Sequence, residues 1–490
     1  MPEKTTSSAS VERRLQQRDL RPHWHGEPPR EFRGLRSDSR RVEPGDLFCA
    51  VSGTRVDGHA FVVPAARAGA SAAMVESVTP ADLPQLTVSD TRRAIAHLAS
   101  LFAGDPADEL RLIGVTGTNG KSTTVWLVRW LLSGLEPAAA IGTLGVIGAD
   151  GRLGAGTLTT PDPIDLAEML AGLVETGVRS AALEVSSHAL DQYRVDALRF
   201  GAIAFTSFSR EHLEYHPDLT SYRDTKLRLL DLLAPGGVCA VNADEPAWRG
   251  VSPPGGVNLL YGLAPTADVR ADDPRFGPGG TAFELVTPGG RAGVDLPLPA
   301  EFNVRNALAA AAVAFGLGME TGQIAARLTS APVVPGRMEV LSREPALVMR
   351  DYAHTPDSYE RVLATLRELV PGRLVAVFGC GGERDPGKRP LMGEAAARHA
   401  DLAIVTTDNP RTEDPAEICR QIVAGLDPTA YRIVLDRREA IELALADAGS
   451  DDAVVLLGKG HESYQIIGSE KLPFDEAAIV RELTGGRGAA

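Results

Sequence analysis

The chain has 490 residues, a formal net charge of −14 and 44% hydrophobic residues, a profile that fits a soluble protein of about three domains. No apolar run reaches the ~18 residues that a membrane span needs, and the opening stretch MPEKTTSSASVERRLQQRD lacks the apolar core of a secretory signal. The acidic balance argues against nonspecific nucleic-acid binding. Cys49, Cys239, Cys380 and Cys419 are far apart and lack CxxC spacing, so they read as reduced cytoplasmic thiols rather than a disulfide framework or a zinc site.

Residues 1–30 are polar and proline-punctuated and are expected to form a flexible leader, with His23 and His25 as ordinary surface residues. Residues 31–107 read as a small α/β unit: a short buried strand at 47–51, a helix at 62–68 and a strand at 72–76. Ser39, Arg40 and Arg55 could bind an anion, but composition alone makes them a solvated loop.

At 111–125 the sequence RLIGVTGTNGKSTTV joins an apolar strand, a glycine turn and a helix. Val125, Val128, Leu131, Leu132 and Leu135 follow at helical spacing. This is a phosphate cradle. Backbone N–H groups at the helix start face anionic oxygens, Lys121 adds a positive charge, and Ser122 or Thr123 offers a hydroxyl to Mg²⁺. Val115 stands where the strict P-loop pattern wants its first glycine, so Gly117, Thr118, Asn119, Gly120, Lys121, Ser122 and Thr123 form a shortened variant.

The rest of 108–336 alternates strand and helix, which predicts a mostly parallel sheet. SAALEVSSHAL (180–190) is a strand ending in Glu184, and AIAFTSFSREHLEYH (202–216) is a strand followed by a loop with His212 and His216. Ligands gather at the C-terminal ends of parallel strands, which places Glu184 and His212 beside the cradle as candidate Mg²⁺ ligands. Glu184 reads equally as a partner in a buried ion pair. A helix is predicted at 221–233, a hairpin excursion within 250–300 and a helix at 301–318 carrying Asn303 and Asn306.

Residues 337–490 form another α/β unit. Residues 346–358 read as a strand, then a loop with Asp351 and His354, then a helix to about Val370, and three strands within 373–390, 401–415 and 453–465 each end in a charged loop bearing glycine or proline, so polar groups converge on one sheet edge.

Together GTNGKST, LEVSSHAL, SREHLEYH, EFNVRNALAA, GRMEV, DYAHTPD, FGCGGERDPGKRP, DNPRTEDP and GKGHESYQ resemble, in this order, the Mur ligases of peptidoglycan synthesis, over about residues 35–470. The resemblance implies a three-domain α/β architecture: a UDP-binding domain at 1–107, a central P-loop-type ATPase domain at 108–336 and a Rossmann-like C-terminal domain at 337–490. It implies ATP-dependent addition of diaminopimelate to UDP-MurNAc-L-Ala-D-Glu, through an acyl phosphate, by a cytoplasmic monomer with Mg²⁺ as cofactor.

The resemblance also assigns residues. Ser37, Ser39, Thr54, Arg55 and Val56 would hold the UDP moiety. Thr159, Thr160, Ser186, Gln192 and Arg194 would hold the muramoyl dipeptide. Asn303, Arg337, Asp351 and His354 match positions around ATP. Arg384, Asp408, Asn409, Pro410, Arg411, Gly458 and Glu462 match the diaminopimelate site. There an arginine fork suits the distal carboxylate and repels the ammonium of a lysine acceptor. Lys121, Glu184, His212 and Lys226 would be catalytic, with Ser122, Glu184, His212 and Lys226 as metal ligands. Lys226 would act as a CO₂-derived carbamate, although composition alone makes it a solvated helix residue.

Five positions depart from the family pattern: Ser207 replaces an asparagine near the expected reaction centre, Glu211 and Glu214 replace aspartates, Ser122 replaces a threonine, and Thr225 replaces a small residue and is expected to crowd the carbamate. The rival readings are a paralogous ligase with another acceptor or UDP-sugar donor, and a nucleotide-binding scaffold protein without catalysis.

Overall fold

The computed structural model describes residues 5–53, 56–151, 153–154 and 158–485. The chain forms two compact units, residues 1–270 with 306–320 and residues 271–305 with 321–490.

Among the described residues the first unit holds two main sheets besides the two-stranded pair Thr6–Ser7 with Glu31–Phe32. In the smaller, the strands run in the order His23–His25, Gln85–Thr87, Ala72–Val75, Leu47–Cys49 and Leu35–Arg36. Only the first pair is antiparallel. Where a flexible leader is expected at 1–30, the described residues 5–30 carry a helix and a strand of this sheet. Ser7 caps a helix at Ser8–Gln16 by accepting from the Ser10 N–H, and Val11 and Leu15, one turn apart, are fully buried with Phe32 and Leu98. A nine-residue helix is marginal alone. Here an apolar stripe too short to stand out in the sequence is stabilised by tertiary burial. His25 pairs with Gln85 in the strand ladder.

The larger sheet carries the cradle. Its parallel strands lie in the order Ala138–Gly142, Ser180–Glu184, Arg111–Thr116, Phe200–Phe205, Leu233–Asn242 and Val257–Gly262. The chain leaves Arg111–Thr116 for the far side of Ser180–Glu184, returns to that strand, then crosses to Phe200–Phe205. The strand order therefore reverses about the cradle strand, and ligand crevices form at such reversals. Register sets Glu184 beside Val115, and Phe205 beside Thr116. Both following loops thus start next to the phosphate turn.

The cradle helix is Lys121–Leu132. Leu135, predicted to lie on its apolar face, is outside the helix and exposed, because Ser133 and Gly134 close the last turn onto Arg129 and Leu131. Val115 is a buried strand residue. Gly114 before it lies against Phe200, whose ring would be 3.1 Å from an added Cβ.

In the second unit an antiparallel hairpin, Gly280–Thr287 with Gly290–Leu296, packs against the helix Thr321–Thr329. A six-stranded sheet runs in the order Glu339–Ser342, Leu347–Asp351, Ala453–Leu457, Leu374–Phe378, Leu402–Val405 and Tyr431–Ile433. All pairs except the first are parallel. Separate apolar cores cover its two faces, one around Phe378 and Leu363, the other around Val377 and Ile441. The loops after Phe378, Val405 and Leu457 leave the same edge of this sheet.

Candidate active site

The cradle is laced to the loop after Phe205. Thr206 Oγ1 donates to the Asn119 carbonyl at 2.7 Å, and the Thr118 N–H donates to the Ser207 carbonyl at 2.7 Å. Ser207 Oγ accepts from the Asn119 N–H at 3.1 Å and lies 3.2 Å from its carbonyl. The residue that departs from the family asparagine is therefore a structural part of the phosphate turn. Thr206 and Ser209, also bound to the turn, were not picked out from sequence. Gly117 and Gly120 have φ of 150° and 86°. A Cβ at Gly120 would also collide with the Asn306 amide oxygen, so glycine is required there twice over.

Lys121 Nζ donates to the carbonyls of Gly117 at 2.9 Å and Thr118 at 2.8 Å. Lys226 is not solvated. It is 1% exposed, and its Nζ donates to the same Gly117 carbonyl at 2.9 Å. Its amine lies 4.4 Å from the Tyr222 ring centroid. Burial, and then the charge of Lys121, push its pKa well below the ordinary lysine value, with Glu211 opposing. Thr225 turns its hydroxyl back onto the Ser221 carbonyl at 2.8 Å, so its oxygen is directed along the helix.

Glu184 is buried and belongs to a second network. Its carboxylate accepts from the Thr143 N–H at 2.9 Å and from Thr143 Oγ1 at 3.1 Å. Thr143 Oγ1 also reaches Thr159 Oγ1 at 3.2 Å. Thr160 Oγ1 donates to the Glu184 carbonyl and accepts from the Ser186 N–H. Arg194 donates to the Thr160 carbonyl at 2.9 Å and to Gln192 Oε1 at 2.7 Å. Five residues assigned by resemblance to one ligand are thus joined around Glu184. Thr143 is the link that sequence reasoning missed, because it follows an otherwise featureless apolar strand.

His212 stands in a different group. It has a left-handed backbone, φ 57°, and lies 3.3 Å from Glu214 and 3.8 Å from Glu211. Its ring meets that of His188 edge-on at 4.8 Å. Burial, and then the like charges of His212 and His216, push His188 down to about 4. Glu184 is tied to the threonine network, whereas His212 faces the Glu214–His188 cluster.

Mg²⁺ is a hard cation that takes oxygen ligands. The Ser122 hydroxyl and the Glu184 carboxylate fit it, and His212 supplies nitrogen. A Lys226 amine does not fit, but a carbamate oxygen there would. Among the described residues no three His, Cys, Asp or Glu side chains converge as a metal cluster.

For the remaining first-unit candidates, Ser37 follows the strand Leu35–Arg36 and Ser39 opens a short 3₁₀ turn, Ser39–Arg41. Arg40 is paired with Asp38, whose carboxyl it holds down at about 2. Val56 is exposed, and Thr54 and Arg55 lie outside the described residues.

The second unit gathers the acceptor candidates. Asn409 Nδ2 donates to Glu462 Oε2 at 2.9 Å. Arg411 also has a left-handed backbone, φ 52°, held by hydrogen bonds with Ile466 and Gly468, and its Nη1 donates to the Gly382 carbonyl at 2.7 Å. An added Cβ at Gly381 would lie 3.2 Å from Arg411 Nη1 and 3.7 Å from Arg384 Cγ, so both arginines border that glycine turn. Asp408 and Pro410 are buried, and a Cβ at Gly458 would meet Asp408 Oδ2 at 2.6 Å. Asn303, Arg337, Asp351 and His354 also belong to this unit. Burial raises the Asp351 pKa, with Arg337 opposing, and its carboxylate caps the Met338 and Ala353 N–H groups. Arg337 stacks on Tyr352 at 4.7 Å, His354 Nδ1 is 2.8 Å from the Tyr352 carbonyl, and Asn303 donates to the Pro299 carbonyl.

Comparison with known proteins matches three family models in sequence: Mur ligase family, catalytic domain, at residues 31–103; Mur ligase middle domain at 115–314; and Mur ligase, glutamate ligase domain, at 336–460. The chain is 42% identical over 483 residues to a UDP-N-acetylmuramoyl-L-alanyl-D-glutamate–2,6-diaminopimelate ligase of Geobacter sulfurreducens, covering 92% of this chain and 94% of that protein. It is 43% identical over 478 residues to the ligase of the same name from Gloeobacter violaceus, covering 94% and 95%. A solved structure of a ligase of that name superposes with a TM-score of 0.66 at 34% identity, covering 93% of this chain and 95% of that one. With family models over its three segments and relatives matched along nearly their whole length, the chain belongs to the Mur ligase family.

Proposed function

We propose that this chain is the ATP-dependent ligase that adds diaminopimelate to UDP-MurNAc-L-Ala-D-Glu in peptidoglycan precursor synthesis, acting as a cytoplasmic monomer. The observation that carries the acceptor assignment is the grouping of Asp408, Asn409, Arg411, Gly458 and Glu462 in one loop cluster, in which Asn409 holds the Glu462 carboxylate and the Arg411 guanidinium is tied to the Gly382 carbonyl. Such a cluster matches an amino acid whose far end is itself zwitterionic.

In this reading Gly117–Thr123 hold the ATP phosphates, and Lys121 follows charge as it develops on the transferred phosphoryl group. Ser122, Glu184, His212 and a carbamylated Lys226 would be the residues that hold Mg²⁺, which would supply neutralisation of the phosphate charge. Asn303, Arg337, Asp351 and His354 contact the nucleotide. The threonine–Arg194 network orients the dipeptide so that its terminal carboxylate attacks the γ-phosphate, giving an acyl phosphate and ADP. The acceptor amine then attacks the acyl carbon and phosphate leaves, so no protein nucleophile is needed. Ser37, Ser39, Thr54, Arg55 and Val56 anchor the UDP end. Domain limits at 1–107, 108–336 and 337–490 belong to the same proposal.

The test is ATP-dependent phosphate release with UDP-MurNAc-L-Ala-D-Glu and Mg²⁺, comparing diaminopimelate with lysine and weighing the product. Turnover with diaminopimelate and little with lysine is expected. Turnover with lysine alone, or with neither, overturns the assignment and favours a paralogous ligase of other substrates.

A further inference from the structure

Lys459 is 0% exposed, yet it lies within the acceptor cluster. Its Nζ donates to Asn409 Oδ1 at 3.2 Å and lies 3.4 Å from Glu462 Oε2. Asn409 Oδ1 also accepts from the Ile466 N–H at 3.0 Å. Two donors on Oδ1 fix which way the amide points: Nδ2 must face Glu462, and it does, at 2.9 Å. Glu462 Oε2 therefore meets two donors, one of which Lys459 supplies and the other of which it orients. The backbone fixes Lys459 in turn. Gly460 has φ 52°, and its added Cβ would lie 2.6 Å from Tyr352 Cβ, so the turn that buries Lys459 admits no side chain at the next position.

We infer that Lys459 is a positioning residue that aims Glu462 at the distal ammonium of the acceptor while Arg411 takes the distal carboxylate. The inference rests on the acceptor class proposed above. A flipped Asn409 amide would set oxygen against the Glu462 carboxylate, and Lys459 is the buried charge that disfavours the flip.

The test compares diaminopimelate with 2-aminopimelate, which keeps the distal carboxylate and lacks the distal amine. The wild-type enzyme is expected to prefer diaminopimelate by about 10-fold or more in kcat/KM. Lys459→Met is expected to lower kcat/KM for diaminopimelate by about 10-fold while changing that for 2-aminopimelate by less than about 3-fold. KM values for ATP and the UDP-linked dipeptide should not move. In a Glu462→Gln background the same change should cost little, because the two residues act as one unit. Equal losses on both acceptors, or an unchanged preference, overturn the inference and leave Lys459 a purely structural residue. If Lys459→Met fails to fold, Lys459→Arg is used; it keeps a donor at a different length, and an unchanged preference in it overturns the inference equally. A wild-type enzyme inactive on diaminopimelate would overturn the acceptor class itself, a separate result.

Discussion

Lys121 and Lys226 donate to one and the same oxygen, the Gly117 carbonyl, each from 2.9 Å. Two ammonium groups so placed repel, and the buried one yields: the Lys226 pKa falls well below the ordinary lysine value. A neutral amine is the form that adds CO₂. As a carbamate, Lys226 would turn repulsion from Lys121 into attraction. Enzyme supplied with ¹³C-bicarbonate should therefore show one carbamate signal that Lys226→Ala lacks, and CO₂-depleted buffer should suppress turnover until bicarbonate is restored. Activity should fall as acid protonates the amine. For the unmodified lysine, the folded pKa lies below the unfolded value of about 10.4. The unfolded chain then holds the extra proton between the two values, so stability rises with pH across that window and is lost as pH falls through it. A wild-type spectrum without the signal at saturating bicarbonate would remove the carbamate from the proposed mechanism.

Arg411 keeps a left-handed backbone while its Nη1 is bound to the Gly382 carbonyl, which orients the guanidinium. Arg411→Lys keeps the charge and loses the fork, so kcat/KM for diaminopimelate should drop by about 1.5–3 kcal/mol, roughly 10- to 150-fold. Discrimination against lysine should weaken with it. Acceptor-resolved kinetics measure both, and an unaltered ratio would exclude Arg411 as the selector.

The loop carrying Gln192 and Arg194 is clamped from the helix Thr91–Phe102. His97 Nε2 and Arg93 Nε lie 3.1 and 3.2 Å from one oxygen of Asp196. Tyr193, with φ 57°, has the Arg228 guanidinium 4.4 Å and the Arg93 guanidinium 5.6 Å from its ring centroid. Burial pushes the Asp196 carboxyl up, but the His97 hydrogen bond and the Arg93 charge outweigh it and hold it below its ordinary value. A depressed carboxyl contributes stability above its unfolded pKa of about 3.9 and loses it as pH falls through the folded value. Asp196→Ala should raise KM for the UDP-linked dipeptide by about 1–3 kcal/mol, with KM for diaminopimelate unmoved. A uniform loss across all substrates would count against a role specific to this loop.

Arg437 and Glu476 form an ion pair of 2.7 Å with both side chains fully buried, and Arg437 also donates to the Leu457 carbonyl at 2.9 Å. Glu476→Ala strands the guanidinium and should cost about 3–5 kcal/mol, whereas replacing both partners by apolar residues should recover much of the loss. Urea unfolding of the full chain reads the difference. A midpoint unchanged in Glu476→Ala would mean that water reaches the pair.

The strand–glycine turn–helix of the cradle was legible because its demands are local: a glycine where φ is positive, a lysine and hydroxyls at the helix start, an apolar stripe behind. Glu184 was legible as a carboxylate ending an apolar strand. The helix Ser8–Gln16 was not, since two apolar residues in a polar stretch say nothing until Phe32 and Leu98 are packed against them. Thr143 carries no local signature either, and His188 and Lys459, although inside LEVSSHAL and GKGHESYQ, have roles that the motifs do not display, because His212 and Asn409 approach them only in the fold.

Sequence by itself determined the family, the phosphate cradle and the order of the loops, because motif spacing is a property of the chain. It did not determine that Lys226 is buried against Gly117, that Glu184 is bound to Thr143 rather than to an ion-pair partner, or that Lys459 orients Asn409. Those facts depend on which strand lies beside which. The two sheets bring together residues 41 to 109 positions apart, and burial then sets the protonation and direction of groups that composition alone would leave in solvent.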